Sequence, residues 1–477
     1  MSLIYKIFNN NFTQLLILFC LKSLFYFHYI SYLGLKPQIL RAESGIWFLA
    51  NYVNDHDFNT LLKESIISPH NGNFTPIPFL LEIVCMRALG ISDFLHLVRA
   101  SLILAFLSTT IFILLRIIKN VQSSKIISLT SLSLIILSTS VVFNPITCHM
   151  VTWPFMIFQF LSVSVFILTL SCYLLYTRSN DSKHLYIGLI LGYSTMHLFG
   201  IGLAFCLSTF LFFLYHYCKS DNYNKKSNIC FCVVFILMVL HAFIMVSENG
   251  SSNKYYINES VQRFLYVYTE YFKVCSEYFF IPKSIDLPKI NISPKRTIFD
   301  ISIFVLLFVT PLIYFFKNKF KIVNLLSVTY TLLVFMIVFR LKNEQNHDVL
   351  IGYFLGDRYI FFPLIFFNII LLSLIIKNKL FLYLFSFLVF YLCYFNTVFF
   401  DNVATKIWPN KYISHEDEWN ILNVNFINDL KNSQTVNNPS IKHLTEFDMR
   451  LSNLQDILIH KHKIDQSINW NPSGSNF

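Results

Sequence analysis

The sequence predicts an all-α fold, a polytopic transmembrane helical bundle of about 11 spans with extracytoplasmic loops and a small helical C-terminal tail. Three observations carry that expectation. Of the 477 residues, 55% are hydrophobic and only 13% are charged, where a soluble domain has about 25% charged residues. The mean hydropathy is +0.55, and it comes from repeated apolar runs of about 18 residues or more, the length that crosses a bilayer as a helix. The runs do not alternate apolar with polar, as the strands of a membrane barrel would.

In chain order the expected spans are 12–33, 93–118, 126–145, 153–177, 185–199, 201–217, 228–247, 298–317, 322–340, 358–376 and 379–400. The first follows Lys6 and reads as a signal anchor. It is too long for a signal-peptide core, and no small-residue cleavage site follows it. The run 185–217 is too long for one crossing, and Gly200 and Gly202 interrupt it, so it is read as two short helices.

Charge sets the direction. Arg116, Lys119 and Lys125 share one connection, Arg178 and Lys183 a second, and Lys219, Lys225 and Lys226 a third. Lys317, Lys319 and Lys321 follow, then Lys377 and Lys379. With eleven spans all of these fall on the side of the N-terminus, which is therefore cytoplasmic. Merging 185–217 into one span would flip every later connection and so scatter the basic clusters over both faces.

The domain expectation is a membrane domain over 1–400, with outer loops 34–92, 248–297 and 341–357, and an extracytoplasmic tail over 401–477. In the tail, Trp419, Leu422, Phe426 and Leu430, then Leu444, Phe447, Leu451, Leu454 and Leu458, recur at helical spacing. Each set forms an amphipathic helix suited to the membrane surface. Pro76 and Pro78 open the run 79–89, which is too short to span and is read as interfacial.

Several function classes are excluded. The net charge of +11 is spread over short clusters between spans, a topology signal and not a nucleic-acid face. No phosphate-cradling glycine loop occurs, and no cytoplasmic connection is long enough for a nucleotide-binding βαβ unit. The ten cysteines show no zinc or redox spacing and read as small core residues. No cofactor is expected, and no residue pattern indicates a metal, although the sequence leaves a divalent metal open. A substrate must arrive from the membrane or from outside.

The chemistry concentrates in the first outer loop, where Glu43, Asp55, His56, Asp57, Glu64 and His70 follow one membrane exit. Acids so placed face water or a protein cavity, because lipid penalises them. In sugar transfer from a lipid phosphate the leaving group is already an anion, so one carboxylate suffices as base. Glycoside hydrolysis needs two. The phosphate also calls for a cation, and Asp357-Arg358-Tyr359, where the tenth span begins, offers an arginine fork. Met196 and His197, near the Gly200 break, are read as ordinary core residues. His149 and Trp153 are read as interface anchors, and the sequons at Asn73, Asn249, Asn258 and Asn291 as chance patterns.

The order of these residues resembles the polytopic GT-C glycosyltransferases of bacterial envelopes, especially the phage- and O-antigen-associated glucosyltransferases that decorate surface polysaccharide. The matching positions are Glu43 with Trp47, His70-Asn71-Gly72-Asn73, Arg358-Tyr359 with Pro363, and Asn471-Pro472-Ser473-Gly474. The chain departs from that pattern in having one acid where a pair is usual, Asn73 in place of a second His with no Arg after it, and Ser475 in place of a final Trp.

The resemblance implies a multi-pass protein of the inner (plasma) membrane that inverts the anomeric centre as it moves a sugar, glucose above all, from a polyprenyl-phosphate donor to a polysaccharide acceptor. It also implies a separate donor synthase and a separate flippase that brings the donor to the outer face. Glu43 is then the base, with Asp55 and Asp57 as alternatives. His70 and Asn71 orient substrate, Arg358 and Tyr359 meet the phosphate, and Trp47 stacks on a sugar ring or anchors the interface. Two other readings stand beside it, an O-antigen polymerase or ligase and a lipid-linked glycan flippase or transporter. A transporter would place ionisable residues in mid-membrane, and the spans read as nearly free of them.

Overall fold

The computed structural model describes residues 11–32, 76–78, 80, 81, 84, 93–120, 128–142, 157–179, 181–198, 201–219, 229, 230, 232–241, 266, 267, 271, 322–341 and 357–388. Among the described residues every regular element is a helix and none is a strand. The helices are α1 (Asn11–Tyr32), α2 (Asp93–Lys119), α3 (Leu129–Val142), α4 (Ile157–Ser179), α5 (Ser182–Leu198) and α6 (Gly202–Lys219). They continue with α7 (Cys232–His241), α8 (Ile322–Leu341) and α9 (Asp357–Ile375), and α10 (Lys379–Leu388).

Among the described residues three stretches are long and apolar enough to cross a membrane: Phe12–Ser31, Leu97–Lys119 and Ile157–Ser179. The second and third form the hub, with 61% and 72% of their apolar windows buried against 28% for the first. At the centre, the Phe166 ring of α4 stacks on Phe205 of α6 at 4.2 Å, and Phe366 of α9 closes on it at 5.8 Å. Such offset aromatic packing adds about 1 kcal/mol to the area each ring buries. Helix association in lipid lacks a hydrophobic drive, so close approach and polar links must supply it.

The expected break in 185–217 is present as the gap between α5 and α6. Its cause is steric. A Cβ on Gly202 would sit 2.1 Å from the carbonyl oxygen of Thr195, so only glycine lets α6 start against the end of α5. The two helices then run antiparallel, since Thr195 faces Gly202 and, further along, Gly192 faces Cys206. On its other side α5 lays Gly188 and Gly192, one turn apart, on Tyr173 and Thr169 of α4, again antiparallel. This is the small-xxx-small approach used between membrane helices.

Pairwise contacts give the remaining directions. Arg99 lies over Phe158 at 5.6 Å near the starts of α2 and α4, and Arg178 donates to Asn120 Oδ1 at 3.3 Å at their ends, so the two are parallel. Lys119 Nζ donates to the Lys377 carbonyl at 2.9 Å, which brings the end of α9 to the end of α2. Helix α1 runs antiparallel to α2, with Lys22 on Ser108 and Phe27 on Phe94.

Two ends of the bundle follow. At one end gather the start of α1, the ends of α2, α4, α6 and α9, and the starts of α3, α5 and α10. Arg116, Lys119, Arg178, Lys183, Lys377 and Lys379 are all at this basic end. At the far end lie the last turn of α1 and the first turns of α2, α4, α6 and α9. The grouping of the basic connections on one side, read from charge alone, is present among the described residues.

Candidate functional site

The far end is where the expected chemistry enters. Phe27, near the close of α1, meets Phe94, in the first turn of α2, at 6.1 Å with edge-to-face geometry. The close of α1 and the opening of α2, which bound the 33–92 connection, therefore lie together. Glu43, Trp47, Asp55, Asp57, His70 and Asn71 belong to this connection and lie outside the described residues. Its later part is helical at residues 76–78, 80, 81 and 84, with Pro76 and Pro78 buried. Proline fits the opening of a helix, where its missing N–H leaves no bond unmade. Leu81 and Val84 are exposed, in keeping with the interfacial reading of 79–89.

Arg358 and Tyr359 fall in the first turn of α9, which Asp357 opens. This is the start of a helix, as the sequence suggested, and it lies at the far end because the close of α9 is tied to Lys119 at the basic end. The first turn of a helix also presents unpaired N–H groups and the positive end of its dipole, an environment that favours a phosphate. The tail over 401–477, the segment over 298–317, His149, Trp153 and the four sequons lie outside the described residues.

One buried site corrects the expectation that charge is nearly absent from the spans. Lys22, midway along α1, is 4% exposed. Its Nζ donates to the Ser108 carbonyl of α2 at 2.9 Å and to Ser138 Oγ of α3 at 2.9 Å. Ser138 in turn donates to the Ile135 carbonyl, so the Lys22 nitrogen must be the donor in both of its bonds. The Phe112 ring lies 5.8 Å from Nζ. One turn on, the Tyr26 hydroxyl donates to the Thr139 carbonyl at 3.2 Å. A lysine at mid-bilayer costs about 3 kcal/mol, while a hydrogen bond between membrane helices returns about 0.6 kcal/mol. The cluster pins α1 to α2 and α3 at a net cost. The signal was legible as a lone Lys inside a 22-residue apolar helix, but its partners were not.

A second polar spot sits at the α5–α6 break. The His197 ring meets Tyr193 at 4.5 Å and His241 of α7 at 5.7 Å, both edge to face. Sequence reading marked His197 and Met196 as ordinary core residues and passed over His241. Beside them a small apolar pocket is lined by Gly192, Met196, Cys206, Val234 and Met238. Cys206 Sγ donates to the Gly192 carbonyl at 3.4 Å, in line with a small core residue. Tyr193 and Thr209 also line this pocket. Among the described residues no group of three His, Cys, Asp or Glu side chains is arranged to hold a metal ion.

Comparison of the chain with protein-family models, with curated proteins and with solved structures found no match.

Proposed function

We propose that the chain is an eleven-span membrane glycosyltransferase that moves a sugar from a polyprenyl-phosphate donor to a surface polysaccharide such as O-antigen. The reading rests on the chemistry of the residues and on the resemblance they carry. One observation supports it best. The connection bearing Glu43, Asp55, Asp57, His70 and Asn71 emerges at the same end of the bundle as the α9 turn bearing Arg358 and Tyr359, opposite the basic end. A base and a phosphate-binding arginine must meet one substrate, and two groups at opposite membrane faces never could.

In this reading the N-terminus and the basic end face the cytoplasm, and transfer takes place on the outer face of the inner membrane. Glu43 draws the proton from the acceptor hydroxyl as that oxygen attacks the anomeric carbon from the side opposite the phosphate. The configuration inverts, and the lipid phosphate departs as an anion held by Arg358 and Tyr359. The proton ends on the Glu43 carboxyl. His70, Asn71 and Trp47 orient the sugars. A separate synthase and a flippase supply the donor.

The test is incubation of membranes holding the protein with radiolabelled polyprenyl-phosphate glucose and polysaccharide. Label should pass to the polymer, and Glu43→Gln should stop it. Undiminished transfer in that variant removes Glu43 as the base, and no transfer from any lipid-phosphate sugar removes the enzyme reading.

Buried Lys22 favours a second reading, a lipid-linked glycan transporter, because ionisable groups at mid-membrane mark transport paths. The two readings separate on Lys22→Met. A transporter would lose lipid translocation in reconstituted vesicles, whereas a transferase would keep its turnover.

A further inference from the structure

The basic end carries a feature that the proposed reaction does not use. Lys119 closes α2 and reaches across to the Lys377 carbonyl. Residues 376–378 then turn the chain sharply between α9 and α10. The Asn378 backbone N–H bonds to the Ile375 carbonyl, and the Asn378 Oδ1 caps α10 by accepting the Leu380 N–H at 2.9 Å. The Lys119 ammonium is thus held on the backbone of the turn that carries Lys377 and Lys379. Arg178 stands nearby on Asn120, a residue held at φ 57°. Among the described residues no carboxylate pairs with Lys119, Arg178, Lys377 or Lys379.

Directly beyond this cationic turn, α10 exposes an apolar stripe. Leu380, Leu384 and Phe387 are 63%, 58% and 72% exposed and recur at i, i+4 and i+7, which places them on one helix face. Leu382, on the opposite face, is buried, and beside the stripe the Tyr383 hydroxyl lies 3.0 Å from Thr130 Oγ1 of α3. The stripe therefore runs up the outside of the bundle from the lysines.

We propose that this corner is a binding site for an anionic phospholipid. The phosphate sits among Lys119, Lys379 and Lys377, and the acyl chains lie along Leu380, Leu384 and Phe387. Charge complementarity selects the headgroup. The continuous stripe selects a lipid over a soluble phosphate, since a free anion would gain nothing from the apolar face. The site is independent of the transferase reading and lies at the other end of the bundle.

Native mass spectrometry of the full chain released from detergent tests it, with phosphatidylglycerol and phosphatidylcholine titrated separately. Phosphatidylglycerol should bind with a tight first site that phosphatidylcholine lacks. Lys379 makes no side-chain hydrogen bond among the described residues, so Lys379→Gln should fold normally. Each lysine near an anionic headgroup is worth about a factor of five, so Lys379→Gln with Lys119→Gln should weaken the first site about twenty-five-fold. Leu384→Asn should weaken it without changing the preference for the anionic headgroup. Equal binding of the two lipids, unchanged binding in Lys379→Gln, or displacement of the lipid by soluble glycerol phosphate would each overturn the proposal.

Discussion

Lys22, halfway along α1, gives Ser138 of α3 a hydrogen bond at 2.9 Å across 116 residues of sequence. Ser138 donates its own hydrogen bond to the Ile135 carbonyl one turn back. The pair links α1 to α3, with the lysine donating to a hydroxyl whose own hydrogen is turned to its helix backbone. Replacing a buried charge by an apolar residue of similar volume is often neutral or stabilising. Lys22→Met should therefore leave the thermal midpoint in detergent unchanged or raise it. Ser138→Ala should lower stability by about 1 kcal/mol, and that loss should shrink by half or more in the Lys22→Met background. Equal losses in both backgrounds would show that the two side chains do not interact.

The close approaches of α5 set a rank order for glycine replacements. Gly202→Ala drives a methyl into the Thr195 backbone at 2.1 Å, Gly188→Ala meets the Tyr173 ring at 2.7 Å, and Gly192→Ala meets the Thr169 methyl at 3.3 Å. A ring can rotate aside and a backbone carbonyl cannot. Overpacking costs of about 1 to 3 kcal/mol should be exceeded at Gly202, reached at Gly188 and barely felt at Gly192. Folded yield by size-exclusion fluorescence gives the ranking, and a Gly202→Ala protein as stable as the parent would contradict it.

The two ends of the bundle make opposite predictions for reporters. A phosphatase that works only after export, fused at residue 60, should be active. The same enzyme fused at residue 182 or 378, beside the lysines of the basic end, should be silent. Activity at 378 would break the joint orientation of α2 and α9 that Lys119 and Lys377 define.

Among the acids of the first loop, one should matter far more than the rest. General-base catalysis contributes about 10² to 10⁴ in rate. Glu43→Gln should lower kcat by that factor, while Asp55→Asn and Asp57→Asn should each change it less than ten-fold. The reverse order would move the base to an aspartate and leave the rest of the proposal standing. Arg358→Lys keeps the charge but loses the planar fork, and should raise KM for the lipid donor more than it lowers kcat.

Composition by itself determined that the described part of the chain is built from apolar helices, roughly where those helices lie, that 185–217 is two of them, and which connections carry the lysines. These are local properties. Bilayer thickness sets the helix length, and the bilayer's preference for apolar side chains writes each helix as an unbroken run. What each helix faces was not legible, because the polar and apolar residues of α3 and α8 do not sort onto separate faces and give no stripe to mark an inside. Only the tertiary structure decided that Lys22 looks inward to Ser108 and Ser138, that His241 meets His197, and that Lys119 closes on Lys377. Each of those pairings joins residues at least 44 positions apart, from 197 to 241 at the nearest. The rotation of a helix about its axis depends on small contacts such as Gly202 on Thr195, and hydropathy carries no record of them.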